Sequence, residues 1–314
     1  IFIVLSMLGL LVLGAFVTVT KVGAQTEPPT PPFTYYPPGS IQPKTGAQEE
    51  LSTGYADYQV HAPGIGFPLR VPAFPNSQVY RPGGGFNQLP NSDGQCDNRN
   101  YSYPWRDNYC EKRSWTVEDC PGGHGHQGQD IRPPKCEIDT HEVLAVEDGK
   151  VYSEPETGEL IVQTHDKKRR YDYLHLETVR HQINSKGGLL LDSKGNPIEI
   201  SGTAKTFTFG SDIHRGQTIG YVSSIQDGVK DKTTRHLHFN LRKQRFDSKG
   251  RVLSGGKYFY HSPYMSLIRA YETALGQTGT MLPAPAICKP NTARCTTTSV
   301  ISCNQDGTSE TLTS

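Results

Sequence analysis

The chain has 314 residues and a formal net charge of +1, from 32 basic and 31 acidic side chains. That length exceeds one typical domain, and the near balance of charge argues against a broad nucleic-acid surface. Hydrophobic residues make up only 34%, beside 32 Gly and 23 Pro, which fits a loop-rich, mainly β protein better than a helical one.

Ile1 to Val19 is almost wholly apolar, with no initiator Met or basic segment before it, so it reads as the remainder of a longer leader. Val22-Gly23-Ala24 suits cleavage before Gln25, which makes residues 1–24 a signal peptide. The run is also long enough for an uncleaved anchor, placing residues 1–20 in a membrane. Either way the rest of the chain is expected to be exported. Residues 25–54 are rich in Pro, Thr and Gly (EPPTPPFTYYPPGS) and predict an extended linker with too little apolar surface to pack.

Residues 55–118 predict an irregular lead-in. Its first part, Tyr55 to Gly84, intersperses aromatic and aliphatic residues with prolines and reads as an arm laid against the main domain. Its second part, Asn100 to Cys120, carries both tryptophans and reads as a stapled structural segment, with a substrate-facing aromatic wall as the rival. Seven Cys in an exported chain suggest disulfides with one thiol left over. No close CxxC pair supports a structural zinc site instead. Cys96, Cys110, Cys120 and Cys136 predict two bridges that staple the lead-in to the core, with all three connectivities open. Cys288, Cys295 and Cys303 lie in the tail.

Gly122 to Asp130 (GGHGHQGQD) is the first chemistry-bearing stretch. If it is extended, His126 and Asp130 project to one side, and an imidazole with a carboxylate on one face makes half of a zinc site. His124 shares that parity and is a rival ligand, and Asp130 has a rival role in orienting a histidine. Short β segments follow. Glu142 to Tyr152 alternates and predicts a hairpin turn at Asp148-Gly149. Glu159–His165, Arg170–Leu176 and Gly216–Val222 read as strands. In Arg235 to Arg242, Leu237, Phe239 and Leu241 face opposite to His236, His238 and Asn240, so one face packs and the histidine face is left for chemistry. His175 sits in a third strand-like setting (YDYLHL). His61, His141, His165, His181, His214 and His261 receive no role and are expected to be solvated.

HQGQD at 126–130, DGKV after the predicted turn, YLHL at 173–176, GQTIG at 216–220 and HLHF at 236–239 together resemble the lysostaphin and LytM type of zinc endopeptidases, which cut peptidoglycan cross-bridges and stem peptides. The resemblance covers about 120–245, within a metallopeptidase domain at 119–245. It implies a small antiparallel β-sheet with an open groove and a periplasmic or envelope location. It implies one Zn2+ held by His126, Asp130 and His238, with His175 and His236 assisting catalysis. Peptidoglycan is the implied partner, and no nucleic acid. The rival readings are a non-catalytic wall-binding regulator of a cell-wall amidase, which typically lacks a metal-site residue, and a zinc carboxypeptidase, whose motif spacing differs.

Three features depart from that pattern. Ser185 to Gly210 is an insertion, predicted as an added hairpin around Ser193-Lys194-Gly195-Asn196-Pro197. The approach to HLHF reads SSIQDGVKDKTT where glycine and serine are usual, and Asn240 stands where an acidic residue is common. Residues 246–314 form a C-terminal extension, weakly helical over Ser262–Leu275 and ending in a disulfide-tied tail.

Overall fold

The computed structural model describes residues 32–40, 55–78, 93–152, 158–178, 192–194, 207, 209–284, 293–295, 300–303 and 310–313. In chain order the principal strands are β1 (Thr34–Tyr35), β2 (Phe74–Pro75), β3 (Gln129–Arg132), β4 (Glu142–Leu144), β5 (Gly149–Val151), β6 (Gly158–Thr164), β7 (Arg169–Thr178), β8 (Asp212–Ile213), β9 (Thr218–Val222), β10 (Leu237–Gln244) and β11 (Tyr258–His261). A single α-helix, α1 (Tyr264–Leu275), follows among the described residues, then β12 (Thr280–Met281). The protein is mainly β, as its composition predicts.

One antiparallel sheet runs in the order β2-β3-β10-β7-β6-β5-β8. β11 continues the β10 edge beyond β3, and β9 bridges β7 to β4. β10 is the middle of this sheet, paired with β7 along most of its length. Leu237, Phe239 and Leu241 are fully buried beside Tyr171 and Tyr173, so the predicted apolar face of β10 is the core face. The opposite face is buried as well: His236, His238 and Asn240 are at most 4% exposed. Trp115 of the lead-in sets its ring edge-on to His238 there, 6.5 Å between centroids.

The structure corrects several expectations. β4 and β5 do not form the hairpin predicted at Asp148-Gly149; β4 pairs with β9, and β5 with β6 and β8. Gly149 is a strand residue whose missing Cβ lets β6 approach, since a Cβ there would collide with Gln163 O. The true hairpin joins β6 to β7 across residues 165–168. Residues 32–40, inside the predicted linker, do pack: Phe33 and Tyr35 are buried, and β1 pairs in parallel with β12. Phe33 contributes its ring to a cluster with Tyr103, Trp105 and Tyr271, and aromatic edges there outweigh the proline content. His61 and His261 are not solvated either. They stack at 4.6 Å, with Asp57 on His61 and Asp119 near His261.

α1 matches the predicted helical stretch. Its Leu267, Ile268 and Tyr271 are fully buried in the main core, Tyr271 against the rings of Phe33, Phe67 and Trp105. Gly276 closes it in the left-handed conformation, φ 66°, and donates to Glu272 O and Thr273 O. The arm at 55–78 has little regular structure, as expected, yet feeds Ala62, Ile65, Phe67 and Leu69 into the core. Disulfides join Cys96 to Cys136 and Cys110 to Cys120. The first joins the lead-in to the core over a separation of 40 residues; the second joins Cys110 of the lead-in to Cys120, just past its end, over a separation of 10.

In the tail, β13 (Ala293–Cys295), β14 (Val300–Cys303) and β15 (Glu310–Thr313) form a separate antiparallel sheet. Cys288 and the side chains of Cys295 and Cys303, on which a tail disulfide would rest, lie outside the described residues, as do the leader at 1–24 and the hairpin predicted at 185–210 save 192–194, 207 and 209–210. No helix among the described residues is long and apolar enough to cross a membrane.

Candidate metal centre

Asp130 and His238 are direct partners across the β3–β10 ladder, which puts both side chains on one face of the sheet. His126 lies three residues before β3 begins, so no strand of the sheet presents it. Two backbone bonds do so instead: His126 N–H donates to Glu111 O at 2.8 Å, and Cys110 N–H donates to His126 O at 3.0 Å. The lead-in thus acts as the missing edge. The ligand atoms of His126, Asp130 and His238 all fall within 4.8 Å of one another, and all three side chains are buried. His126 Nε2 is 3.2 Å from Asp130 Oδ1, and His238 Nδ1 is 3.1 Å from the same oxygen. His124 takes no part; it is exposed and its ring contacts only Gly123 O.

The hydrogen bonds settle which ring nitrogen carries the proton. A backbone carbonyl can only accept, so His126 Nδ1, 3.0 Å from Asn108 O, must be the N–H, leaving the Nε2 lone pair facing Asp130. His238 is held the other way round. Its Nε2 lies 2.7 Å from Asn240 Oδ1, and Asn240 Nδ2 donates to Asp172 Oδ2 at 3.2 Å. Asp172, ion-paired with Arg242 at 2.6 Å, is a carboxylate that only accepts, so the amide of Asn240 turns its oxygen to His238. His238 therefore donates from Nε2 and presents a bare Nδ1. Two imidazole lone pairs and a carboxylate oxygen converge with no proton between them. Only positive charge satisfies that arrangement, and two His with one Asp suit zinc.

The electrostatics agree. Burial, only partly offset by Asp130, pushes His126 down to about 4, so it stays neutral near neutral pH. His236 shares the cluster's edge: Nδ1 donates to Thr234 O at 2.8 Å, and Nε2 lies 3.4 Å from Asp130 Oδ1.

His175 reaches the same place by a kink. Leu174 and Leu176 of β7 oppose Glu159 and Gly158 of β6, so His175 between them has no partner and forms a bulge. Its φ is +64°, a left-handed value uncommon outside glycine. The bulge turns the ring over the cluster of His126, Asp130 and His238, 4.7 Å from His236 and 6.0 Å from His238 between centroids. Nδ1 donates to Ile225 O at 2.8 Å, which leaves Nε2 bare. Burial, with His236 and His238 nearby, drives its pKa well below that of a free imidazole.

Several participants escaped the sequence reading. Asn108 contacts both His126 and Asp130, but an Asn in an irregular polar stretch reads as a turn residue. Asn240 was noticed only as a departure. Trp115 is 44% exposed, with its ring 6.0 Å from that of His126 and 6.5 Å from that of His238, whereas Trp105 is wholly buried in the core. Gly128 is required by close approach: a Cβ would collide with Asn240 Oδ1 and Phe239 O.

No family profile matches the chain, and no curated protein matches it. Solved structures do. A Ruminococcus gnavus structure named for the glycyl-glycine endopeptidase LytM is 17% identical, with a TM-score of 0.32 over 51% of each chain. The catalytic domain of lysostaphin, an antimicrobial peptidase of Staphylococcus simulans, is 20% identical over 51% of this chain and 92% of its own, with a TM-score of 0.28. Helicobacter pylori Csd3 is 18% identical over 67% of this chain and 42% of its own, with a TM-score of 0.24. The chain thus spans about half the length of the Ruminococcus gnavus structure. The chain is similar to the lysostaphin and LytM type that its motifs resemble, while the chemistry of its centre rests on the contacts above.

Proposed function

We propose that the protein is an exported zinc endopeptidase that hydrolyses peptide bonds in peptidoglycan cross-links or stem peptides. The observation that carries this reading is the convergence of His126 Nε2, Asp130 Oδ1 and His238 Nδ1 with every ring proton committed elsewhere. These three side chains would hold one zinc ion and, being three, leave a coordination position for chemistry. A bound zinc supplies Lewis acidity, polarising a scissile carbonyl and making water acidic enough to attack near neutral pH.

The chain's own residues would do the rest. His175, neutral and bare at Nε2, is suited to take a proton from attacking water. His236 holds its proton at Nδ1 against Thr234 O, and its Nε2, 3.4 Å from Asp130 Oδ1, would accept a second and pass it to the departing amine. Trp115 at the rim offers a flat apolar surface for a peptide strand. The two disulfides support export, since such bridges persist in oxidising compartments, and a periplasmic or envelope setting brings peptidoglycan within reach.

The test is digestion of purified peptidoglycan, with released muropeptides identified by mass and zinc measured on the same sample. We expect close to one zinc per chain and peptide-bond cleavage that a strong chelator abolishes. A zinc-loaded protein that binds peptidoglycan and releases nothing would overturn the peptidase reading in favour of a wall-binding regulator.

A further inference from the structure

We infer that Asn108 is a positioning residue of the metal centre, acting through Asp130 from outside the sheet that carries the motif; this rests on the zinc reading above. Asn108 is fully buried. Its Oδ1 accepts from Asp130 N–H at 3.1 Å, and its Nδ2 donates to Asp130 Oδ2 at 2.7 Å. Its carbonyl takes the Nδ1–H of His126, and its own N–H donates to Gln129 Oε1 at 3.3 Å. All four bonds go to the 126–130 segment. Its carbonyl also accepts from Glu111 N–H in its own loop at 3.2 Å, while both bonds of its side chain go to Asp130.

That pattern is not how a purely structural asparagine behaves. Asn100, equally buried in the same lead-in, donates to Gly94 O six residues away and makes no bond to a proposed ligand. Asn108 instead grips Asp130 at backbone and side chain together, which fixes the rotation of the carboxylate. With Oδ2 held by Asn108 and by Gln78 N–H at 3.3 Å, Oδ1 is the oxygen left facing His126 and His238. The amide cannot flip without losing both bonds, because Asp130 N–H needs an acceptor and the carboxylate needs a donor. The support is firm. Arg106 N–H bonds Pro75 O, Cys110 is bridged to Cys120, and Cys96 to Cys136. Partners of this kind orient a ligand before the metal arrives, and their loss typically weakens metal binding about 10–100-fold.

The experiment compares wild type, Asn108→Ala and Asn100→Ala. Apo-protein is titrated with zinc against a chromophoric chelator, and thermal unfolding of each apo form is recorded. We expect Asn108→Ala to bind zinc about 10–100-fold more weakly. Asn100→Ala should lower the unfolding temperature and leave zinc affinity unchanged. Should Asn108→Ala fail to fold, Asn108→Ser keeps a small polar group in the cavity, too short to bridge both Asp130 contacts, and should lose affinity likewise. Wild-type affinity in the Asn108 variant, or equal loss in Asn108→Ala and Asn100→Ala, would overturn the inference alone. A wild type that takes up no zinc would overturn it together with the reading it rests on.

Discussion

The sheet and the lead-in both build the candidate centre, by different physics. β3 and β10 contribute Asp130 and His238 through the pleat: alternate residues share a face, and direct partners across the ladder meet. The lead-in has no pleat to use. It delivers Asn108 through coil backbone, tied by two disulfides and by backbone bonds at Cys110, Glu111 and Arg106. What the sheet fixes by period, the lead-in fixes by cross-links. The consequence is that changes in the sheet should remove the metal or the reaction, whereas changes in the lead-in should degrade the centre by degrees.

The largest effect belongs to the sheet. His238→Ala removes a proposed ligand, so zinc content should fall from close to one per chain to near none, with hydrolysis lost. Metal analysis of the purified variant decides it; full occupancy would mean that the ligand set is wrong. Next come the two neighbouring histidines. Because His126, Asp130 and His238 remain, His175→Ala and His236→Ala should keep zinc while muropeptide release slows by about 10²–10⁴, the usual contribution of a positioned acid or base. Variants that keep both zinc and full rate would remove these two from the mechanism.

A smaller effect tests whether the sheet, too, depends on neutral amides. Asn240→Leu leaves His238 without an acceptor for its Nε2–H and frees the ring to turn or to switch tautomer. Zinc affinity should drop about 10–100-fold, with the fold retained. Asp172→Asn is the sharper probe. It leaves Asn240 in place but allows its amide to face either way, so the loss should be smaller than for Asn240→Leu. Equal affinities for wild type and both variants, from zinc titration, would show that His238 needs no such orienting chain.

How much of this was legible in the sequence follows the same division. The alternation in HLHFNL exposes the two faces of β10, and the order of the histidine motifs brings the five candidate residues to one place. α1 was legible from Leu267, Ile268 and Tyr271 at helical spacing. The conformation of His175 was not. Regular alternation sets it on one face, but the bulge at Leu174–Leu176 inserts a residue and re-aims the ring, and nothing in YLHL announces a positive φ. Gly149 misled for a related reason, since a glycine that relieves close strand packing looks the same in sequence as one that makes a turn. Asn108 was invisible because its partners lie 18 and 22 residues away in coil, where no periodicity links them.

The last comparison separates the staple from the side chain it sits beside. Opening Cys110–Cys120 with a double Ser substitution removes a cross-link over a ten-residue separation, worth about 3 kcal/mol on chain-entropy grounds, against about 4 kcal/mol for the forty-residue Cys96–Cys136 loop. Urea unfolding should register those losses in that order. Zinc affinity of the folded double variant at Cys110 and Cys120 should change less than that of Asn108→Ala, because the segment keeps other holds. Arg106 N–H still bonds Pro75 O, Cys110 N–H still bonds His126 O, and Asn108 still bonds Asp130 twice. Gly125 packs so closely on Cys110 and Cys120 that this contact also positions the approach to His126. If opening the bridge weakens zinc binding as much as removing the Asn108 side chain, the disulfide itself presents the clamp. The lead-in would then act on the metal through its covalent frame, and the contrast with the pleated sheet would be sharper still.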